Sequence, residues 1–387
     1  MHALRLFLFT LLCFTHSRAL LGQDEAYLPH PFWTNGFART GWSWAAGGIP
    51  LPNDPLTSGS VPALRTEVPI HAYVDLARRG SQHLDPPPFS SYPPSQWKAH
   101  FYGDTLAPAN VVIGFPIGHL ALAAGFQRSY RNDVYQEELT DLSAIVDTWR
   151  DFRLSHTFLS AAWARSRWSL GGSLAWQRIT TSVKSPGNRG GVQDLEAGDG
   201  SGWRLGLSAA ADPLSTVSVA MAARWSFPFD VDYAYAQEPA RGPSTYSYPA
   251  GVPDEYDLIA AWKPVSPLRL QAMARRRDWR GDIDSLLTER WDVHTGFVAE
   301  PHPRLQLAAG WVLTGEPVKA TTRTAWRGHY EGDYHIVTGG MRLGVLEWLR
   351  ITIQMSQILD RGGETNLSQP GWSIGIQTEL PNGTVVP

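Results

Sequence analysis

Along much of this chain, apolar and polar residues alternate one for one. Between positions 348 and 357, Leu349, Ile351, Ile353 and Met355 share one face and Arg350, Thr352, Gln354 and Ser356 the other. Between 304 and 314, Leu305, Leu307, Ala309, Trp311 and Leu313 oppose Arg304, Gln306, Ala308, Gly310 and Thr314, and Val312 is the exception on the second face. The same period of two places Val217, Val219, Met221, Ala223, Trp225 and Phe227 opposite Ser218, Ala220, Ala222, Arg224 and Ser226. It recurs in Trp203, Leu205, Leu207 and Ala209 against Arg204, Gly206 and Ser208, and in Trp372, Ile374 and Ile376 against Ser373, Gly375 and Gln377. Side chains of a strand point alternately to its two faces, so each segment predicts a strand with one apolar and one polar face. About ten residues is the length a tilted strand needs to cross a bilayer.

A one-sided soluble sheet would show the same alternation. The connections separate the two cases. Short turns are expected around Pro116-Ile117-Gly118, Arg165-Ser166-Arg167, Asp212-Pro213-Leu214, Pro264-Val265-Ser266-Pro267, Pro301-His302-Pro303 and Gly344-Val345-Leu346. They alternate with longer Gly-, Pro- and charge-rich stretches near 78–106, 133–150, 184–201, 231–254, 281–287, 318–330 and 359–369. Short connections at one end and long ones at the other are the signature of an outer-membrane barrel, and the strands between them number about 14. The expected fold class is therefore all-β: a transmembrane antiparallel up-and-down β-barrel.

Composition agrees with a surface other than a charged soluble one. Charged residues make up 18% of the 387 residues, against roughly 25% in an ordinary soluble domain. A formal net charge of -3 gives no basic footprint for nucleic acid. Seventeen Trp suit sites where a ring has one apolar and one wet end. Trp168, Trp176, Trp203, Trp225, Trp262, Trp279, Trp291, Trp311, Trp326, Trp348 and Trp372 fall near strand ends, where aromatic girdles are expected.

At the N-terminus, Arg5, the apolar run from Leu6 to Phe14 and Ser17-Arg18-Ala19 read as a signal peptide cut after Ala19 or Gly22. The one cysteine, Cys13, lies inside it. No later stretch is long and apolar enough for a membrane helix, so a spanning chain must be a closed barrel.

A barrel of about 14 strands is wide enough to leave an aqueous hole unless plugged. Residues 23–66 supply material for a plug, with the barrel itself expected over 67–387. Within that segment lie Ala38-Arg39-Thr40-Gly41-Trp42-Ser43-Trp44-Ala45-Ala46-Gly47, then Asn53-Asp54-Pro55 and Pro62-Ala63-Leu64. The stretch resembles the N-terminal hatch of FadL-like outer-membrane proteins, with Val61 where their Asn-Pro-Ala motif carries Asn. The resemblance implies that Arg39, Gly41, Gly47, Asn53, Asp54 and Pro62 are hatch residues. It also implies a monomeric, plugged barrel with both termini periplasmic. Such a barrel either passes hydrophobic small molecules into the membrane or, as in PorV/PorQ-type proteins, serves as a non-enzymatic scaffold in type IX secretion. Asn-Asp-Pro is equally good turn chemistry.

Alternation sends Arg204, Arg224, Arg269, Arg275, Arg277, Arg304 and Arg350 into the lumen. A positive wall could hold anions, although buried charges are ordinarily paired. His156, His294, His329 and His335 sit on different strands without metal-ligand spacing. No nucleophile elbow or phosphate loop is present. No cofactor and no catalytic residues are expected. The Asn-x-Ser/Thr matches at Asn366 and Asn382 are read as chance. The expected surroundings are outer-membrane lipid, with a hydrophobic small molecule or a secretion-system protein as partner.

Overall fold

The computed structural model describes residues 41–65, 70–79, 82–84, 97–101, 107–139, 145–186, 192–235, 244–250, 252–278, 289–315, 333–359 and 370–379. Its strands are β1 (His71–Arg79), β2 (Gln82–Leu84), β3 (Trp97–Phe101), β4 (Ala107–Ile117), β5 (Leu120–Leu139), β6 (Ile145–Arg165), β7 (Trp168–Pro186), β8 (Val192–Leu214) and β9 (Val217–Ser226). There follow β10 (Phe229–Tyr235), β11 (Ser244–Ala250), β12 (Asp254–Val265), β13 (Leu268–Asp278), β14 (Arg290–His302), β15 (Leu305–Gly315), β16 (Asp333–Leu346), β17 (Leu349–Leu359) and β18 (Pro370–Glu379).

Fourteen of these strands form the barrel, each antiparallel to its neighbour: β1, β4 to β9, and β12 to β18. Pairing of β1 with β18, from His71↔Glu379 to Arg79↔Gly371, closes it. Closure leaves no strand of the barrel without a neighbour on either side, and in a bilayer an unpaired backbone group would cost several kcal/mol.

Faces follow the alternation. Leu207, Met221, Leu258, Ile353, Met355, Ile374 and Ile376 are exposed on the outside, while Ser208, Ala220, Ala222, Thr352, Gln354, Ser373 and Gln377 are buried inside. Two girdles bound the apolar outer band. Trp163 and Trp168 meet edge to face at 5.0 Å near the short turns, and Trp176 and Trp203 meet at 4.8 Å further up. Trp168 and Trp176 are eight positions apart on β7, about 27 Å of strand and, at a tilt of ~40°, about 20 Å of height. That matches a thin bilayer core. Trp279 and Trp326 lie outside the described residues.

Six tight turns among the described residues lie at one end: Gly118-His119, Ser166-Arg167, Ser215-Thr216, Ser266-Pro267, Pro303-Arg304 and Glu347-Trp348. Three of them come two or more residues after the proline that marked the turn in the sequence. Pro213, Pro264 and Pro301 instead occupy β-bulges, between Ala211/Leu214, Trp262/Val265 and Ala299/His302. A proline has no N–H for the ladder, so it settles where the ladder is already interrupted. The second residue of each turn then accepts a backbone hydrogen bond from the next hairpin. His119, Arg167, Thr216, Pro267, Arg304 and Trp348 carbonyls receive the N–H groups of Ala164, Asp212, Lys263, Glu300, Gly344 and Glu379 at 2.7–3.1 Å. These bonds lace the short-turn rim together.

The opposite end is uneven. Strands β5 to β8 run 19 to 23 residues, whereas β9 has 10. Much of 133–150 and 184–201, expected as loop, is therefore strand. There the alternation of apolar with polar residues fades, so the sequence carries no period-two signal to mark the strands. Both edges of this tall wall are covered. Strand β3 pairs with β5, and β10 pairs with β8 beyond the end of β9. An edge left unpaired would invite association with another chain.

Candidate functional site

The segment 41–65 threads the lumen in its short-turn half. Helix α1 (Trp42–Ala45), helix α2 (Thr57–Ser60) and a 3-10 turn (Pro62–Arg65) are too short to stand alone. The wall holds them. Thr338 donates to the Ala45 carbonyl and accepts from the Gly47 N–H, both at 3.1 Å. Gln271 donates to the Ala46 carbonyl at 3.3 Å, and a ring nitrogen of His294 lies 2.6 Å from the Gly47 carbonyl oxygen. Ser169 donates to the Ala63 carbonyl at 2.6 Å, and the Ala63 N–H donates to Ser208 at 3.0 Å.

Each hatch residue singled out in the sequence has a definite place, apart from Arg39, which lies outside the described residues. Gly41 precedes α1 with φ 88°. Gly47 has φ 84°, and a Cβ there would lie 2.5 Å from the Thr295 carbonyl oxygen. Only glycine combines that backbone with that approach. The Asn53 side chain donates to Gln306 at 3.2 Å and its carbonyl accepts from Arg342 at 3.1 Å. Asp54 is fully buried and serves the hatch itself: its carboxylate accepts from the N–H groups of Ser43 at 2.5 Å and Leu56 at 3.1 Å. It is at once turn former and staple between the two halves of the plug. Pro62 opens the 3-10 turn over Gly171, where a Cβ would strike the Pro62-Ala63 backbone.

Above the hatch, toward the long connections, one side of the lumen carries a continuous ion-pair belt. Arg204 on β8 and Arg224 on β9 share Glu255 of β12 at 2.7 and 2.9 Å. Arg224 also reaches Asp257 at 2.7 Å and the Ser60 carbonyl of the hatch at 3.1 Å. Arg275 on β13 takes the other oxygen of Asp257 at 2.7 Å. Arg277 pairs with Asp292 of β14 at 2.6 Å and donates to Thr314 of β15 at 2.8 Å. Four arginines thus meet three carboxylates. Arg350 pairs with Glu379 at 2.9 Å. Arg269 is half-buried near the short-turn rim. Arg304 does not face the lumen: the turn it was expected to follow falls on Pro303-Arg304 itself, and the residue is exposed there.

The other side of the lumen carries an apolar cluster among polar neighbours. Val112 of β4, Ala123 of β5, Phe158 of β6 and Ala175 of β7 cluster with Tyr73 of β1, and Leu56 of the hatch packs against them. Beside this patch β4 and β5 lose their register among the described residues. Pairing of β4 with β5 runs from Ile117↔Leu120 up to Asn110↔Gln127 and stops. Further up, β3 pairs with β5 from Phe101↔Val134. Two bulges face each other at the break. Ala109 is passed over in the β1–β4 register and Ser129 in the β5–β6 register. An extra residue bends its strand, and here both flanking strands are bent at the same height.

The histidines do not converge. His156 is buried on β6, His294 touches the hatch, and His335 accepts from Trp311 at 3.1 Å on the outer face; His329, Asn366 and Asn382 lie outside the described residues. No group of metal-ligating side chains occurs among the described residues. Sequence reading missed Thr338, Arg342, Gln127, Asp75 and Asn110, whose only signal was an inward place in the alternation.

No family model and no curated protein sequence matches the chain. Solved structures do match in fold. The Ralstonia pickettii toluene transporter TbuX superposes with a TM-score of 0.65 at 12% identity, over 90% of this chain and 100% of its own. A Pseudomonas aeruginosa FadL homologue gives 0.63 at 15% identity, over 89% and 99%. The Pseudomonas putida toluene transporter TodX gives 0.62 at 12% identity, over 87% and 96%. At such identities the likeness is one of fold, and the fold is the FadL-type barrel.

Proposed function

We propose that this FadL-type barrel is an outer-membrane channel that passes hydrophobic small molecules from the long-connection side, through the gap between β4 and β5, into the membrane. The observation that carries the reading is the end of the β4–β5 register at Asn110↔Gln127 while β4 runs on to Ala107 paired with β1, because strands that part there would open a plugged barrel sideways. An apolar solute leaves where β4 and β5 lose their register, beside the Phe158-Val112 cluster and Leu56 of the hatch, and so avoids the ion-pair belt. Burial of apolar surface in lipid drives the final step at roughly 25 cal/mol per Å².

On this reading the short turns and both chain ends face the periplasm, residues 1–22 direct export, and 23–66 form the hatch of a monomeric barrel. Ion pairing within the belt argues against an anion pathway, since each of its arginines already has a carboxylate partner. The transported class is accordingly neutral and apolar, in keeping with the toluene transporters it resembles in fold. The protein works without a cofactor and performs no catalysis. The PorV/PorQ-type scaffold has no observation in its favour.

The test is uptake by intact Gram-negative cells that lack hydrocarbon channels of their own. If the ladder continued, positions 108 and 129 would be partners. Cysteines placed at both, Pro108→Cys with Ser129→Cys, are joined by a reducible bis-methanethiosulfonate linker. Linked cells are expected to lose toluene uptake and to regain it on reduction. Uptake unchanged by the link would sink the proposal.

A further inference from the structure

One wall arginine stands apart from the ion-pair belt. Arg342 of β16 is buried, and both of its hydrogen bonds run from Nη2 to neutral oxygens: the Asn53 carbonyl of the hatch at 3.1 Å, and Oε1 of Gln377. Its Nε and Nη1 have no partner among the described residues. Its guanidinium lies 5.9 Å from the ring centre of Trp42, at the start of α1. Glu379, two residues beyond Gln377 on β18, is held by Arg350 and by the Gln377 amide. On the hatch, Asp54 is buried as well. It directly follows the carbonyl that Arg342 binds, and its carboxylate accepts from the N–H of Ser43, the residue after Trp42. Neither Asp54 nor Arg342 has an opposite charge within ion-pair distance among the described residues.

We infer that Asp54 is a positioning residue for the plug: its charge, flanked by the two hatch residues that Arg342 touches, seats the hatch on that guanidinium without contact. Hydrogen bonds to neutral carbonyls satisfy N–H groups but leave the positive charge, and a lone buried cation is costly. The hatch brings both groups that offset it. One is the Trp42 ring, whose face attracts a cation. The other is the Asp54 carboxylate, the strongest favourable charge acting on Arg342. Coulomb attraction falls only as the inverse of distance, so away from bulk water it still acts beyond hydrogen-bond range. Arg342 and Asp54 lie on opposite sides of the seam between wall and hatch, so their attraction counts only while the plug is seated. The staple that Asp54 forms inside the hatch, by contrast, has no need of Arg342. The inference goes beyond the proposed route and does not depend on it.

Rescue separates the two roles. Ala308 is buried beneath the hatch, in the cluster that holds Trp42, so a cysteine placed there reports each departure of the plug through its labelling by a charged methanethiosulfonate. In that background, assembled in lipid vesicles, Asp54→Asn is expected to raise the labelling rate about tenfold, less than the loss of a pair in contact would. Arg342→Met removes the cation that Asp54→Asn leaves uncompensated. The double variant is therefore expected to return to within about threefold of the parent, since removing both members of a buried charge couple is often close to neutral. If Asp54→Asn fails to assemble, assembly itself becomes the readout: restoration by Arg342→Met supports the inference, and failure of the double variant overturns it. A double variant labelled as fast as Asp54→Asn overturns it too, because Asp54 would then act only as the staple, and so would labelling of Asp54→Asn at the parent rate. Toluene uptake indifferent to the 108–129 linker overturns the lateral route and leaves this seam as it stands.

Discussion

Arg224 and Asp257 stand on neighbouring strands with their charged groups 2.7 Å apart, and the Asp257 side chain has no exposure at all. Neither charge is tolerable alone in that position. Arg224 is also bound to Glu255 and to the Ser60 carbonyl, and Asp257 to Arg275. One residue pair therefore ties three strands to the hatch. Removing a single partner of a buried pair strands the other charge, which typically costs about 3–5 kcal/mol, whereas replacing both by apolar residues of similar volume is often close to neutral. Asp257→Leu is expected to fall in the first class, because Arg224 keeps Glu255 but Arg275 loses its carboxylate, and the double variant Arg275→Met with Asp257→Leu to recover most of the loss. Urea unfolding in lipid vesicles, followed by Trp fluorescence, gives both values. A double variant weaker than the single one would contradict this account of the belt.

Gly47 tests the plug rather than the wall. Its φ of 84° costs a non-glycine residue about 1–2 kcal/mol, and the 2.5 Å approach of a Cβ to the Thr295 carbonyl adds a steric clash with β14 that no rotamer relieves. Gly47→Ala should therefore shift the hatch off His294 and Thr338 while the barrel still closes. Expected are normal heat-modifiable migration on gels and a raised ion conductance in planar bilayers, because water enters where the plug has moved. Conductance equal to that of the parent would mean that the hatch tolerates the added methyl.

How far these features could be read from the sequence depends on how local they are. The faces of β8, β9, β15, β17 and β18 follow from alternation alone, since Leu207 and Ser208 or Ile353 and Gln354 differ in a property that lipid and lumen sort. The hatch was legible in Gly41, Gly47 and Asp54, whose chemistry is that of turns. Alternation also sends Arg224 inward but cannot name Asp257 as its partner, because that depends on the register between β9 and β12. Arg304 was misplaced for a related reason: Pro301 marks a bulge, and the turn comes after it. The gap was the least legible feature of all. It needs two bulges on non-adjacent pairings to meet at one height, and each leaves no more trace in the sequence than an extra residue.

The upper girdle makes a quantitative expectation possible. Trp176 and Trp203 are register partners whose rings meet edge to face at 4.8 Å with planes at 76°. Such pairs contribute about 0.5–1.5 kcal/mol beyond their burial. A double-mutant cycle of Trp176→Leu and Trp203→Leu, measured by unfolding in vesicles, should return a coupling energy in that range. Strict additivity would show that the two rings are anchored by the interface independently.

The lipid face can be mapped by depth. Leu258 is 61% exposed and its partner Met221 60%, and they are paired across β12 and β9. Trp262, four residues along the same strand, lies beside the short-turn rim. Both side chains point outward, so an arginine at either site meets lipid rather than lumen; only its distance from water differs. At the bilayer midplane an outward arginine costs about 2–4 kcal/mol, and near the interface about 0–1, because there its long stem lets the guanidinium reach water. Leu258→Arg is thus expected to lose several times the stability that Trp262→Arg loses to its charge, once the lost ring is controlled for with Trp262→Leu. Equal losses at the two depths would mean that this face of the barrel is not in contact with hydrocarbon, and the reading of the outer band as a membrane surface would fail with it.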